Sequence, residues 1–375
     1  MAKRLIAALA LVASLFAAPS AIAGDKPLAG ALSKDQSLWQ AYALQFVTSD
    51  GRVIDNVNGG ISHTESQGYG MLLAVAANDK ATFERIWSFT QTNMYIREDG
   101  LAAWKFEPMA DKTASVGDKA EKPDTPAPVG QITDMNNATD GDILIAWALA
   151  EAGAAGFGDQ YTAHAKDISL ALRATVYNGG SMGLQMMPGK VGFSAVERDG
   201  KPVVNLSYWV FPAFDRLSVL MPLPMWPELN QSGMAHIEAS QNFAAGLPSD
   251  WFSLDIENGE RAAAPGFDDA FSYNAIRIPL YLAMTGPQSR RMLRATFADW
   301  FALEGPLKTV GVNDRALRDT LLDPGYEAIR SLYKCATAST PFPPETLTSL
   351  DVNYYPATIQ LLAVIAARQS YPKCV

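Results

Sequence analysis

Three stretches of this chain place polar side chains where a predicted helix begins. Glu65 lies in "SHTESQGYG", directly before an apolar run, and Asp140 and Asp142 open "TDGDILIAWAL". The third stretch, "GFDDAFSYNAIRIPLYL", contains Asn274 and Arg277 after a pair of acidic residues. If the helices surround a common axis, their N-termini converge on one face. Side chains from distant parts of the sequence would then line one cleft.

Carboxylates that meet in a cleft suit the cleavage of glycosidic bonds. One protonated carboxyl donates to the leaving oxygen, while a second carboxylate activates water or attacks, and their separation sets the stereochemical outcome. Aromatic side chains that could bind sugar rings beside them are Trp104, Tyr208, Trp209, Tyr354 and Tyr355. A structural interpretation competes at each position, because acidic residues stabilise helix N-termini and tryptophans fill cores. Residue types and spacing therefore leave a carbohydrate enzyme as one hypothesis.

The elements that would position these residues are helices. Apolar residues recur at spacings of three and four, which predicts an all-α architecture. The predicted helices are 35–48, 66–77, 79–93, 141–155, 160–176, 207–220, 233–246, 274–285, 287–302, 314–334 and 356–369. Strand signals are short, around 203–206 and 308–312. The least helix-like segment, 107–139, is rich in Pro, Asp and Thr, and a loop of that length is usually functional or flexible. We expect a functional role for its last third.

The first 23 residues have the pattern of a secretory signal peptide. Lys3 and Arg4 precede an apolar stretch, and the small triplet Ala21-Ile22-Ala23 predicts cleavage after Ala23. A retained membrane anchor is the alternative, but the apolar run is shorter than the roughly 20 residues that span a bilayer. We therefore expect residues 24–375 to form one catalytic domain that is exported to a periplasm or the medium, without membrane insertion.

Composition and charge narrow the classes of partner. Of the 375 residues, 48% are hydrophobic and 18% are charged, which favours a large buried core over disorder. The net charge of −9 argues against nucleic acid and anionic membranes as partners. The three histidines show no metal-ligand spacing, so we expect no metal site, no cofactor and no His-dependent triad. Cys335 and Cys374 are expected to form a disulfide that pins the C-terminal tail, with two free thiols as the alternative.

Longer motifs in this chain resemble glycoside hydrolase family 8, and within it the periplasmic endoglucanases associated with bacterial cellulose synthesis. The motifs are "GRVID…SHTESQGYGMLLAV", "AWKF", "NNATDGDILIAWAL", "NLSYWVFPAF", "YNAIRIPLYLA" and "YYPATIQLLAVIA". The resemblance implies an (α/α)6 barrel with a long cleft across one end. It also implies inverting hydrolysis of internal bonds in β-1,4-glucan, and cellulose synthase machinery as a candidate partner.

The resemblance also assigns roles to residues. Glu65 matches the proton donor, and Asp140 matches the signature carboxylate that holds the sugar at the cleavage point. Trp104, Tyr208 and Arg277 match positions that line the family's substrate cleft. Two further candidate substrate-binding residues, Asp142 and Trp209, adjoin these motif positions.

The chain departs from the family at one catalytic position. The family motif Y-D-A-x-R carries the Asp assigned as general base, whereas this chain has Asn274 there. Asn cannot take a proton from water, and positioned proton transfer typically contributes about 10²–10⁴-fold. Asp268 or Asp269 is a candidate alternative base, and Asp140 is another, although a helix N-terminus favours its charged form. A glucan-binding protein that cuts poorly is the remaining alternative, and chitosan, xylan and mixed-linkage glucan are alternative substrates.

Glu65 raises a related question, because a general acid must hold its proton. Since a helix start favours the charged form of an acid, a close carboxylate such as Asp140, or burial against an aromatic ring, would have to help it hold that proton.

Overall fold

The computed structural model describes residues 27–109 and 130–375. The predicted signal peptide and the middle of the segment 107–139 lie outside these ranges. The helices are α1 (Gln36–Phe46), α2 (Thr64–Ala76), α3 (Lys80–Asn93), α4 (Thr139–Ala154), α5 (Asp159–Ala171), α6 (Phe211–Leu220), α7 (Met225–Ala239), α8 (Arg277–Met284), α9 (Arg290–Phe301), α10 (Glu327–Ala338) and α11 (Tyr354–Ser370). Within the described ranges, no helix has both the length and the hydropathy that a membrane crossing requires.

The helices form a closed ring with a second layer outside it. Helix α2 packs on α4, α4 on α6, α6 on α8 and α8 on α11, which returns to α2. Helices α3, α5, α7, α9 and α10 pack against the outside of this ring. Nearly every residue of α2, α4, α8 and α11 is buried, as expected for helices that are apolar on all sides. The all-α prediction is thereby confirmed.

Short antiparallel strands lie in the segments that connect the helices. The strands are β1 (Ser62–His63), β2 (Lys105–Pro108), β3 (Gly130–Asp134), β4 (Val176–Asn178), β5 (Leu184–Met186), β6 (Val203–Val204), β7 (Phe252–Leu254), β8 (Arg261–Ala263), β9 (Ala270–Phe271), β10 (Lys308–Gly311) and β11 (Leu317–Thr320). In the described residues they form sheets ordered β1-β2-β3, β4-β5, β6-β7-β8 and β11-β10-β9. Phe106 of β2 lies opposite Ser62 of β1 and Ile132 of β3, so the segment 107–139 begins in a strand and contains a second strand in its last third. The sequence did not predict this pairing.

Two predicted helices were misplaced. The prediction 233–246 was too late, because α7 begins directly after Pro224 and accommodates Pro227 in its first turn, where no N–H is needed. The prediction 314–334 began too early. Its first residues form a tight turn with Arg315 at φ 61° and then β11, which pairs with β10.

The C-terminal tail is bonded to the second layer of helices. Cys335 of α10 forms a disulfide with Cys374, and the two Cα atoms are 5.9 Å apart across 39 residues of sequence. Both cysteines are buried, and the loop that the bond closes contains the whole of α11. The cross-link therefore restrains a helix of the inner ring.

Replacing both cysteines with serine is expected to lower the free energy of unfolding by about 4 kcal/mol, the loop-closure value for a loop of this length. Urea unfolding under non-reducing conditions measures the difference, and wild-type protein in reductant should behave like the double variant. An unchanged unfolding midpoint in both would contradict a stabilising bond.

Candidate active site

A cleft of about 500 Å³ lies at the N-terminal ends of α2, α4, α8 and α11. The predicted site residues that line it are Glu65, Trp104, Asp140, Tyr208, Asn274, Arg277, Tyr354 and Tyr355. These residues come from six separate parts of the chain. The expected convergence of helix N-termini therefore brings most of the predicted site together.

A reciprocal cap fixes the first turn of α2, which carries Glu65. The Ser66 N–H donates to His63 Nδ1 at 3.0 Å, and the His63 N–H donates to Ser66 Oγ at 3.1 Å. This is the capping-box arrangement, with His in place of the usual Ser or Thr. The cap leaves the Glu65 side chain free of a capping role, so it is available to the cleft.

Two glycines let α2 and α4 pack closely against each other. A Cβ on Gly68 would lie 2.6 Å from Cβ of Leu144, and one on Gly141 would lie 2.0 Å from Oγ1 of Thr64. Contacts this short leave no room for a side chain. The glycines in "ESQGYG" and "TDGD" thus explain how Glu65 and Asp140 become neighbours.

The guanidinium of Arg277 joins the two carboxylates. Its Nη1 donates to Glu65 Oε2 and to Asp140 Oδ2, the latter at 2.9 Å. Its Nη2 donates to Ser207 Oγ at 2.7 Å and to Asn274 Oδ1 at 2.8 Å. The side chains of Arg277 and Asp140 are each 2% exposed, whereas that of Glu65 is 17% exposed. Glu65 is therefore the more exposed of the two carboxyls that Arg277 joins at the cleft.

The electrostatics of the cluster favour retention of a proton. Burial raises the pKa of Asp140, the charge of Glu65 raises it further, and Arg277 opposes both effects. Asp140 consequently holds its proton to a higher pH than an isolated Asp does. This arrangement supplies the neighbouring carboxylate that a proton donor at a helix start requires.

The same geometry argues against Asp140 as the base of an inverting reaction. Two oxygens that accept from one nitrogen are closer together than the roughly 6.5–9.5 Å that separates the carboxyls of inverting enzymes. That gap must hold the attacking water. The position of Asp140 instead suits a residue that holds Arg277 and the sugar.

Asn274 is held at both ends of its amide. Its Oδ1 accepts from Arg277, and its Nδ2 donates to Asp250 Oδ2 at 3.4 Å. Asp250 is 7% exposed and also accepts backbone N–H bonds from Ser272 at 2.8 Å and Ala275 at 2.7 Å. Burial raises the pKa of Asp250, although these bonds oppose the change. Sequence reasoning did not identify this residue, because "LPSDW" matches none of the predicted helix starts or motifs.

Four predicted site residues do not line the cleft. Asp268 is exposed, and Asp269 accepts a hydrogen bond from Asn313 at 3.1 Å on the flank of β9. Trp209 is 1% exposed and donates to the Leu229 carbonyl at 2.9 Å, so it belongs to the core. The structure therefore brings neither alternative base, nor Trp209, to the reacting groups.

Asp142, the fourth of these residues, is fully buried behind the cleft. It accepts from the Ala102 N–H at 2.9 Å and from Asn137 Nδ2 at 3.1 Å. Burial raises its pKa to about 7. Since Ala102 precedes Trp104 by two residues, Asp142 supports the segment that carries a cleft aromatic.

Sequence reasoning missed a second group of cleft residues: Asp55, Asn58, His63, Tyr273, Asp323, Tyr326 and Asn353. Asp55, His63, Tyr273 and Asn353 lie in or beside the quoted motifs, so a wider reading of those motifs would have found them. Asp323 in "LLDPGY" fell inside the predicted helix 314–334, away from any predicted helix start.

Comparison with known proteins places these observations in a family. The model of glycosyl hydrolases family 8 matches residues 3–312. An endoglucanase from Cellulomonas uda is 32% identical over 91% of this chain and 90% of its own length. A probable endoglucanase from Novacetimonas hansenii is also 32% identical, over 88% of this chain and 89% of its own.

Solved structures agree with the sequence comparison. An endo-β-1,4-glucanase from Acetobacter xylinum superposes with a TM-score of 0.74 at 30% identity, over 91% of this chain and 99% of that one. A family 8 endoglucanase from Klebsiella pneumoniae gives a TM-score of 0.73 at 31% identity, over 89% and 99% of the two chains. These similarities confirm the predicted (α/α)6 barrel. The chain belongs to glycosyl hydrolases family 8.

Proposed function

We propose that this protein is an endo-β-1,4-glucanase that hydrolyses internal bonds of a cellulose-like glucan with inversion. One observation carries the proposal: Glu65 reaches the cleft while Arg277 and the buried Asp140 hold it in place. Similar proteins named endoglucanase support the choice of glucan as substrate.

In this mechanism Glu65 donates its proton to the oxygen of the departing glucan chain. Asp140 and Arg277 orient the sugar at the cleavage point. Trp104, Tyr208 and Tyr355 lie at the cleft surface, where aromatic rings contact sugar faces. A water molecule attacks from the opposite face of the ring and requires a base there.

The proposed base is Asp323. Among the described residues, the cleft carboxylates besides Glu65 and Asp140 are Asp55 and Asp323. Burial acts to raise the pKa of Asp55, but hydrogen bonds with His63 and Asn58 lower it overall. Both oxygens of Asp55 also hold the turn that follows it. Asp323 accepts from Asn353 Nδ2 at 3.0 Å and is half-buried at the cleft.

Replacing Asp323 with asparagine is expected to lower kcat by about 10²–10⁴-fold with little change in KM, because a positioned base contributes that much. Azide needs no base to attack, so it should restore turnover in this variant. Asp314, an exposed aspartate that does not line the cleft, provides the control as Asp314→Asn. Near-normal kcat in Asp323→Asn would remove Asp323 from the mechanism.

Substrate class and stereochemistry are tested together. Reducing-end release from carboxymethyl cellulose, chitosan, xylan and mixed-linkage glucan should be highest on the first, with a rapid fall in viscosity. NMR of the initial product should show the α-anomer. Cleavage of chitosan but not of carboxymethyl cellulose would overturn the glucanase proposal.

A rival function is a glucan-binding protein that cuts poorly, and the amide at position 274 favours it. Affinity for cello-oligosaccharides without any reducing-end release would support this rival.

We further propose that residues 24–375 act as one exported catalytic domain linked to bacterial cellulose synthesis. The pattern of residues 1–23 and the sequence resemblance support this. N-terminal sequencing of the protein from the periplasm or medium should begin at Gly24.

A further inference from the structure

We infer that Asp250 is a positioning residue of the active site, and that it carries the negative charge which the family motif would otherwise place at position 274. The kinetic consequences of this inference rest on the proposed glucanase function.

The two neighbours of Asn274 make opposite demands on its side chain. An ionised carboxylate such as Asp250 only accepts hydrogen bonds, whereas the guanidinium of Arg277 only donates them. An amide satisfies both, with Nδ2 directed to Asp250 and Oδ1 directed to Arg277. The orientation of the Asn274 amide is therefore fixed by its partners.

Asp250 itself is held firmly. It accepts the backbone N–H groups of Ser272 and Ala275, and its own N–H donates to the Ala270 carbonyl at 2.7 Å. These bonds tie the segment before β7 to the segment that enters α8. Arg277 is the first residue of α8, so Asp250 positions both the amide and the start of the helix that supplies the guanidinium.

The guanidinium in turn determines where Glu65 lies. Its Nη2 is held by Asn274 and Ser207, which leaves Nη1 directed to Glu65 and Asp140. Asp250 does not line the cleft. It therefore acts on the reaction through Asn274 and Arg277.

This arrangement determines what an aspartate at position 274 would do. A carboxylate there would face the carboxylate of Asp250 at about the 3.4 Å of the present contact. Two like charges at that separation, one of them buried and the other at the cleft, cannot both ionise freely, so they would share a proton. Asn274→Asp alone would therefore not create a competent base.

Other helices also bring charged groups close to Asp250 and position 274. They are Arg277 of α8, Glu65 of α2 and Asp140 of α4. The nearby tyrosines stay protonated, because burial raises their pKa values: Tyr69, Tyr208, Tyr281 and Tyr355. The pH dependence introduced by Asn274→Asp should thus arise from positions 250 and 274.

The test is a charge exchange between the two positions. Asn274→Asp is expected to lower kcat by at least about tenfold, because the new carboxylate disturbs Arg277. Asp250→Asn should also lower kcat and shift the pH profile. The double variant Asp250→Asn/Asn274→Asp restores one charge and one amide and should recover at least tenfold over Asn274→Asp. A double variant no better than either single variant, or an Asn274→Asp variant as active as wild type, would overturn the inference.

A melting experiment provides a readout that needs no activity. A carboxyl whose pKa is raised by folding destabilises the protein increasingly as pH rises through that pKa. The melting temperature of Asn274→Asp should therefore fall further below wild type at pH 8 than at pH 5, and the double variant should remove this difference. An equal deficit at both pH values would contradict the shared proton, even if Asp250→Asn failed to fold.

A matched control exists elsewhere in the barrel. Asp215 of α6 accepts from Asn230 Nδ2 of α7 at 3.1 Å, and neither residue lines the cleft. The same exchange at these positions should leave kcat and its pH profile unchanged. If the wild type also lacked activity on every glucan but the melting pattern held, the glucanase proposal would fail and the Asp250–Asn274 pairing would stand.

Discussion

Glu65→Gln is expected to lower kcat on a soluble β-1,4-glucan by about 10²–10⁴-fold, the usual contribution of a positioned proton donor. Glutamine preserves the size of the side chain and can still accept from Arg277, but it has no proton to give. In the wild type, activity should fall on the alkaline side, because a general acid must carry its proton to act. In the variant this alkaline limb should disappear. Initial rates between pH 4 and pH 9 measure both effects.

The control for this experiment is Glu238→Gln. Glu238 is exposed on α7 and does not line the cleft. The rate and the pH profile of Glu238→Gln should therefore match those of the wild type. An unchanged rate and profile in Glu65→Gln would show that another group donates the proton. An aryl β-cellobioside with a good leaving group needs little protonation, and it should be affected less than the polysaccharide.

Arg277→Met is expected to damage both stability and activity. The variant leaves the buried Asp140 and the partly buried Glu65 without their cation, and breaking a buried pair typically costs about 3–5 kcal/mol at neutral pH. The loss should be smaller at pH 5, because Asp140, whose pKa is raised by burial, takes up a proton and becomes neutral. Urea unfolding at pH 5 and pH 7.5 measures this difference. We also expect kcat to fall by at least about 100-fold, since orientation of the reacting groups is lost.

Two further variants separate charge from geometry. Arg277→Lys keeps the charge but cannot reproduce the fork that binds Asn274, Ser207 and the carboxylates, so it should be more stable than Arg277→Met and still poorly active. Arg216, which pairs with the buried Glu151 at 3.2 Å away from the cleft, supplies the matched ion pair. Arg216→Met should lose stability and retain kcat. Full activity in Arg277→Lys would show that charge alone suffices.

The sequence predicted the helical fold well because the signal is repeated in every helix. Apolar residues around the whole of α4 and α11 mark helices of the inner ring, and one-sided patterns such as that of α10 mark the outer layer. The errors fell where local signals compete. Around Leu317 a tight turn and strand pairing outweigh an apparent helical pattern, and β2 and β3 depend on partners that a local pattern does not show.

Prediction of the site worked for residues that begin helices and failed for residues that act through long-range contacts. Glu65, Asp140 and Arg277 each lie at the start of a helix, so their side chains could be expected to converge in one cleft. Asp250 is in a connecting segment, and its role depends on a partner 24 residues away. Asp142 shares its helix start with Asp140, but its side chain turns into the protein. Spacing alone could not distinguish these two carboxylates.

The contact between α2 and α4 at Gly68 and Gly141 responds to substitution differently from a contact between two side chains. When side chains meet, a substitution can move two helices apart or together by a fraction of an ångström as neighbours repack. Where a glycine packs directly against the facing helix, that adjustment is unavailable, so the spacing between Glu65 and Asp140 is a fixed dimension of the barrel. Rings such as Trp104 and Tyr208 can be exchanged without altering it. Substrate preference can therefore change in this scaffold while the distance on which the reaction depends stays constant.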